Sequence, residues 1–151
     1  MANDVTTTGF KELEAVLVQM GEDLCYGKTA SRVLIPAIKA AMQPVLQMAK
    51  ALAPYDESNM STTHLRDTVR LNARTPSSRD QSSIYSEKND IAIGIVSVRT
   101  DKRGMSQEFG NAQVAAQPYL RPALESQANR VISILGSYLT YKLTQYKSKK
   151  V

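Results

Sequence analysis

The stretch that decides the fold is Gln107-Glu108-Phe109-Gly110-Asn111, followed after a short gap by Ala116-Gln117-Pro118-Tyr119-Leu120-Arg121-Pro122-Ala123-Leu124. An aromatic residue before a glycine, and prolines at the start of a helical pattern, indicate a loop fixed against a helix. We predict that Phe109 is buried beside a sheet. Gly110 is expected to take a backbone angle that other residues resist, and Glu108 to stay polar near the helix start. Nothing in this stretch is arranged for chemistry, which favours an assembly component over an enzyme.

Helical spacing of apolar residues predicts three helices around this stretch. One runs from about Pro118 to about Tyr146. A second spans residues 29–53, with a kink at Pro44 because proline removes a backbone hydrogen bond. An N-terminal helix is predicted within residues 1–28 from one apolar stripe: Phe10, Leu13, Leu17, Met20 and Leu24.

Two strands are predicted between the second and third of these helices. Residues 65–73 alternate in the way of a half-buried strand, although Asp67 leaves open a helical turn at its beginning. Residues 90–98 are apolar on both faces, which indicates burial on both sides, with Gly94 allowing close backbone approach.

The connections complete the predicted order. Residues 75–89 are polar and form either a long hairpin connection or a mobile loop with a minor strand, and residues 99–104 form a charged turn. Strands grouped between helices predict an α+β fold. In this prediction a small antiparallel sheet with a long hairpin loop packs against a long kinked helix and a C-terminal helix. The chain also has an N-terminal helix.

Composition is that of one soluble globular domain. The chain has 151 residues, of which 42% are apolar and 22% charged, and we expect a single domain over residues 1–151 with a basic tail at 147–151. No apolar run approaches the roughly 18 residues that span a bilayer. The N-terminal residues lack the pattern of a secretory signal, so a cytosolic protein is expected.

Candidate catalytic or metal-binding residues are few. Cys25 and His64 are the only cysteine and the only histidine, which excludes an internal disulfide and leaves a cysteine-ligated zinc site incomplete. Neither lies in a context that would activate a nucleophile, and no phosphate-cradling glycine motif occurs. We therefore expect no catalytic residue, no cofactor and no metal.

The net charge of +5 is unevenly distributed. One basic cluster comprises Arg66, Arg70, Arg74 and Arg79. It is either a solvated surface or a surface that contacts a phosphate backbone. Only two Phe and no Trp are present, so sequence-specific reading of nucleic acid is not favoured.

Five motifs together resemble a known family, the neck and minor tail-component (tail-completion) proteins of lambdoid long-tailed bacteriophages. The resemblance covers residues 30–145. In chain order the motifs are Ala53-Pro54, Leu65-Arg66-Asp67-Thr68-Val69, the apolar strand Ile91–Val98, Glu108-Phe109-Gly110, and Pro118 to Leu124. The chain departs from the family pattern at Thr63-His64, where a glycine often precedes Leu-Arg, and at Gly104-Met105, where Tyr-Ala is common.

The resemblance implies a non-enzymatic virion protein at the head–tail junction, assembled in the host cytoplasm. It would form a homo-oligomeric ring, possibly six-fold, around the DNA path, and would contact other neck and tail proteins but no membrane. Loops 74–90 and 99–107, with the 108–111 turn, are expected to carry the contacts. The expected interface residues are Arg99, Lys102, Arg103, Glu108, Phe109, Gly110, Tyr119 and Arg121, and the basic cluster is the candidate DNA-facing surface.

Two alternatives remain open at this point. A tail terminator that caps the tail tube is the neighbouring hypothesis, and only its location in the particle separates it from a neck protein. A basic DNA-binding accessory protein is the alternative from another class, and a steep fall of DNA affinity with salt would favour it.

Overall fold

A computed structural model gives the fold of the chain. It describes residues 28–55, 57–58, 63–83, 86, 90–98 and 102–149. The predicted N-terminal helix and residue Arg99 lie outside these residues, as does Cys25.

The first half of the described chain is helical. Helix α1 spans Lys28–Ala41 and α2 spans Gln43–Leu52. The predicted kink is confirmed as a break at Met42, and Pro44 occupies the first turn of α2, where its missing amide costs little. Ala53 then leaves helical geometry (ψ 128°), because the residue before Pro54 disfavours it.

The sheet has two antiparallel strands, β1 (Val69–Arg74) and β2 (Ile93–Val98). A four-residue helical turn, α3 (Leu65–Thr68), precedes β1, so the prediction of a strand from residue 65 is wrong and the alternative of a helical turn is confirmed. Another such turn, α4 (Ser78–Gln81), lies within the hairpin connection.

The sheet places one face against the helices. Val69, Leu71 and Ala73 pair with Val98, Val96 and Gly94 on this face, and α1 and α2 pack on it. A Cβ atom at position 94 would lie 2.5 Å from Cγ2 of Ile38, which confirms the predicted close approach. The opposite face carries the pairs Arg70–Ser97, Asn72–Ile95 and Arg74–Ile93.

Two helices complete the fold. Helix α5 spans Lys102–Phe109 and α6 spans Leu120–Lys149. The prediction of a charged turn over residues 99–104 is therefore wrong for its second half, because a helix begins at Lys102. The long C-terminal helix is confirmed, and it packs against both α1 and α2.

Small residues let α6 approach these helices closely. Ala37, Ala41, Val45, Ala49 and Ala53 recur every four residues and are buried, with at most 3% of their surface exposed. The main core joins the part of this row from Val45 onward to the start of α3, β1 and the beginning of α6 through Leu65, Val69, Tyr119 and Ala123. The predicted α+β fold, a small antiparallel sheet covered by helices, is the one observed.

Candidate assembly site

The centre of the candidate site is the carboxylate of Glu108, which holds the start of α6. Its Oε2 accepts hydrogen bonds from the backbone N–H groups of Tyr119 (2.8 Å) and Leu120 (2.9 Å), and its Oε1 accepts one from Arg121 (3.1 Å). These are amides at a helix start, which have no partner within the helix. Glu108 thus caps α6 from the last turn of α5, as the expectation of a polar residue near the helix start requires.

Two opposing effects set the pKa of Glu108. Partial burial raises it, and the hydrogen bonds from Leu120, Tyr119 and Arg121, with the positive charge of Arg121, lower it. The lowering effects prevail, so the pKa lies below its ordinary value. The carboxylate is charged at neutral pH, in the form that a helix N-terminus favours.

The chain between α5 and α6 is closed by its own hydrogen bonds. Gly110 adopts the predicted left-handed conformation (φ +74°), and its N–H donates to Ser106 O at 2.8 Å. Asn111 Oδ1 accepts from the N–H groups of Gln113 and Val114, both at 2.8 Å. The Gln117 N–H donates back to the carbonyl of Gln107. We call residues 102–123, with this bonding, the latch.

The latch is joined to the core through Tyr119. This side chain is fully buried, so the expectation that Tyr119 lies at a subunit interface is wrong. Its hydroxyl lies 3.2 Å from where a Cβ of Gly104 would be, beside Val98 at the end of β2. A glycine in α5 therefore allows this helix to sit against both the strand and the tyrosine.

The outer side of α5 carries an exposed apolar surface. Met105 is 69% exposed and Phe109 is 70% exposed, and they are one helical turn apart on the same face. The prediction that Phe109 is buried beside the sheet is wrong, because the side of α5 next to β2 is occupied by Gly104. We call Met105 and Phe109 the α5 ridge.

The face of α5 next to the ridge, which carries Lys102 and Ser106, borders a cleft of about 450 Å³. Its walls come from the end of α2, the start of α3, α5 and the loop after it. The lining residues are Pro54, Tyr55, His64, Leu65, Lys102, Arg103, Ser106, Gln107, Asn111 and Val114. Among the described residues of the lining there is no acidic side chain, and Gln107 Oε1 is a buried acceptor that lacks a hydrogen-bond partner in that part of the chain. We call this the basic cleft.

A stack of three side chains forms one end of the basic cleft. The ring centroids of Tyr55 and His64 are 4.5 Å apart, and the guanidinium carbon of Arg66 lies 4.1 Å from the centroid of Tyr55. At this distance the positive charge of Arg66 is attracted to the face of the Tyr55 ring. Tyr55 remains 45% exposed, so the stack leaves part of its ring open to a partner.

The predicted basic cluster is divided by the fold. Arg66 is stacked on Tyr55, and Arg74 donates to both carboxylate oxygens of Asp80. Arg70 and Arg79 are exposed, on the outer face of the sheet and on α4 respectively. The structure therefore does not bring the four arginines together as one surface.

The remaining predicted interface residues lie around α5. Lys102 and Arg103 are exposed at its first turn, and Arg121 is exposed at the first turn of α6. Sequence reasoning missed Met105, Tyr55 and the basic cleft. Helical spacing between Met105 and Phe109 could have revealed the α5 ridge only if residues 99–107 had been recognised as helical.

The described residues contain neither a metal-binding cluster nor a membrane-spanning helix. In that part of the chain no group of three or more His, Cys, Asp or Glu side chains could hold a metal ion. No helix there is both long and apolar enough to cross a bilayer. Comparison with protein-family models, with curated protein sequences and with solved structures finds no match for this chain.

Proposed function

We propose that this chain is a structural virion protein of the phage head–tail connection, a neck or tail-completion protein that forms a homo-oligomeric ring. The observation that carries the proposal is the α5 ridge. An exposed methionine and an exposed phenylalanine are presented on a short helix whose end is fixed by Glu108 and Gly110. Aromatic residues and methionine are enriched in protein interfaces, and a rigid support lowers the entropic cost of binding.

The convergence of the motifs in space supports the proposal. Residues from four of the five motifs lie in or against one core cluster: Ala53, Leu65, Val69, Tyr119 and Ala123 are its members, and Val96 and Val98 pack against it. The remaining motif, Glu108-Phe109-Gly110, is bonded to the start of α6 next to this cluster. Motifs far apart in sequence thus build one structural device that ends in the ridge.

Ring formation requires that one patch of the chain meets a different patch on the next copy. The α5 ridge and the basic cleft are different in chemistry and occupy adjoining faces of α5, so they are two distinct patches for a head-to-tail contact. The tail terminator remains a neighbouring possibility that shares these features. A DNA-binding role gains no specific support, since two of the four candidate arginines are engaged within the chain.

The experiment that tests the proposal compares two exposed apolar residues. Phe109→Ser removes half of the α5 ridge, and Ile132→Ser is the matched control, because Ile132 is 43% exposed on α6. We expect Phe109→Ser to keep the melting temperature of the parent and to lose the oligomer in native mass spectrometry. In a phage that depends on this gene, it should leave separate full heads and tails in electron micrographs.

Ile132→Ser should leave the oligomer and joined virions intact. Normal joined particles with Phe109→Ser, or an oligomer equally weakened by both variants, would contradict the proposed role of the ridge. Normal particles after complete loss of the gene would end the proposal of a head–tail function.

A further inference from the structure

We propose that successive copies of this chain join through their sheets, with β1 of one copy pairing edge to edge with β2 of the next copy. This contact depends on the proposed homo-oligomeric ring and is a second contact within it, besides the α5 ridge. In the described part of the chain the sheet has two strands. Both strands therefore lie at an edge, and an edge strand presents a row of N–H and C=O groups that its own sheet does not pair.

The backbone groups along these two edges support the contact. In an antiparallel pair every second residue bonds the neighbouring strand, and the residues between them direct their N–H and C=O groups outward. Among the described residues, none outside the pair bonds the backbone of residues 70–74 or 93–98. At the start of β1, the N–H of Val69 donates to the carbonyl of Arg66. The remaining outward groups of both strands are the ones that a further strand would pair.

Both strands are also regular enough to accept a neighbour. Natural proteins often prevent edge pairing with proline, lysine or a β-bulge in the edge strand. Neither β1 nor β2 contains proline or lysine. Their register runs through six consecutive residue pairs without a bulge. The helices α1 and α2 pack on one face of the sheet, so they support the strands from one side.

The charges on the outer face of the sheet favour pairing of unlike strands. β1 carries Arg70, which is exposed there, and Arg74, which pairs with Asp80, whereas β2 has no charged residue. Two β1 edges would bring the Arg70 side chains of both copies onto neighbouring strands, and like charges there are destabilising. Pairing of β1 with β2 repeats the arrangement within each copy, in which Arg70 lies opposite Ser97.

The proposed ring also requires that unlike edges meet. Pairing of two β2 edges is isologous, so it uses one edge of each copy and ends at a dimer. Pairing of β1 with β2 is heterologous and leaves an unlike edge at each end, so it can continue until the ring closes. Because β1 and β2 are antiparallel within one copy, strand direction then alternates along the whole joined sheet.

The chain offers few segments of its own that could cover these edges instead. From residue 28 onward, each stretch outside the described residues has at most four residues. Such a stretch is too short to run along a strand of six residues. Residues 1–27 are longer, and a strand contributed by them would pair within one copy at any protein concentration. Pairing between copies would instead depend on concentration.

The test is cross-linking between single cysteines in the full chain. Cys25→Ser removes the native thiol, and Asn72→Cys or Ser97→Cys then places one thiol at an exposed position of β1 or β2. The two proteins are mixed, assembled and treated with a bismaleimide of about 8 Å reach, which spans opposite and diagonal positions on neighbouring strands. We expect a covalent dimer with one chain of each kind in the mixture, and no comparable dimer from either protein alone.

A matched control places the second thiol outside the sheet. Ile132→Cys, at a position of α6 that is 43% exposed, replaces Ser97→Cys in the mixture. This pair should give at least about 10-fold less dimer, because only neighbouring thiols share a high effective concentration. All cysteine variants should keep the melting temperature of the parent, since the replaced side chains lie at the surface.

Amide hydrogen exchange of the parent provides a second measurement. Every second amide of the two strands is protected by the pairing within one copy. The amides between them should exchange at least about 10-fold more slowly in the concentrated, assembled chain than in the dilute monomer.

Four results would overturn the inference. Dimers from either single-cysteine protein alone would show that like edges pair. An oligomer without any cross-link would remove the strand edges from the contact and leave the proposed ring intact. Edge amides that are already protected in the dilute monomer would show that the chain's own residues cover them. A chain that stays monomeric at every concentration would also end it; combined with normal virions in the absence of the gene, this result would remove the proposed function as well.

Discussion

Two carboxylates in this chain, those of Asp80 and Glu108, accept hydrogen bonds from backbone N–H groups. They differ in how far along the sequence those partners lie. Asp80 accepts from the N–H and the hydroxyl of Ser77, at 2.7 and 2.6 Å, and pairs with Arg74, all within six residues. Glu108 accepts from three backbone amides that lie 11 to 13 residues further along. Asp80 orders a turn in the hairpin connection, and Glu108 joins two helices.

The difference decides what each region contributes to the molecule. The bonds of Asp80 are local, and its pair with Arg74 is only partly buried near the surface, where ion pairs contribute little to stability. The bonds of Glu108 close a chain segment whose far end, Tyr119, is fully buried in the core. The latch should therefore be coupled to global unfolding, and the hairpin connection should open separately.

The largest effect on stability is expected at Tyr119, the residue that joins the latch to the core. Tyr119→Ala should lower the free energy of unfolding by about 3–5 kcal/mol, because it empties a fully buried aromatic site. Tyr141→Ala, on the helix that follows Tyr119, is the control: Tyr141 is 59% exposed, and its loss should change stability by less than about 0.5 kcal/mol. Urea denaturation measures the free energy of unfolding of both variants. Equal losses would show that the beginning of α6 is not part of the core.

The next effect concerns the glycine between α5 and the loop that follows it. Gly110→Ala should lower the free energy of unfolding by about 2 kcal/mol, because a left-handed conformation is costly for other residues. Its Cβ would also lie 2.9 Å from the Ala116 nitrogen. Gly136→Ala should instead raise stability by up to about 1 kcal/mol, since nothing lies within 4 Å of its Cβ position. A neutral Gly110→Ala would mean that this loop does not hold the observed geometry.

A smaller effect on stability is expected from removing the carboxylate of Glu108, which caps α6 within the latch. Glu108→Ala should cost about 1 kcal/mol at pH 7, the usual cost of losing a helix cap. The pKa of Glu108 is lowered in the folded chain, so its contribution is present above its ordinary value of 4.5 and is lost as pH falls through the lower folded value. The stability difference between parent and variant should therefore narrow below pH 4.5.

Denaturation curves at several pH values provide this measurement. Glu125→Ala is the control, because Glu125 is exposed on α6, the helix that Glu108 caps. A difference that stays constant from pH 7 to pH 3 would mean that the charge of Glu108 does not stabilise the latch.

The smallest effect belongs to the hairpin connection. The hydrogen bonds from Arg74 and then from Ser77 hold the pKa of Asp80 below its ordinary range. Even so, Asp80→Asn should shift the melting temperature less than any latch variant, because all the bonds of Asp80 are to residues close in sequence. The shift should shrink further in high salt, because the pair with Arg74 is only partly buried and is screened. A shift as large as that of Glu108→Ala would remove the distinction between the two regions.

Much of the fold was predictable from local patterns. The break near Pro44, the end of α2 at Ala53-Pro54, the close approach at Gly94 and the long C-terminal helix follow from backbone chemistry and apolar spacing. The start of β1 was left open, because Asp67 favours a helical turn as well as interrupting a strand. The α5 helix was missed since Lys102, Arg103 and Gly104 suggest a turn, and its packing through Gly104 against Val98 and Tyr119 depends on distant residues.

The candidate site was predicted only in part. Glu108 is polar near the start of α6, and Gly110 adopts a left-handed conformation, as expected, because residue polarity and the conformational freedom of glycine are local properties. Phe109, which was expected to be buried, is exposed, and Tyr119, which was expected at an interface, is buried. Apolar character alone predicts burial but does not say which of two neighbouring aromatic side chains reaches the core.

The sequence by itself determined the class of the fold, the positions of most breaks between elements and the residue types of the latch, because helix periodicity, proline and glycine act within a few residues. Only the tertiary structure decided that Glu108 caps α6, that the arginines of the basic cluster part, and that α5 carries an exposed ridge beside a cleft. These depend on which surfaces are covered when the elements pack, and coverage is set by contacts between residues far apart in the chain.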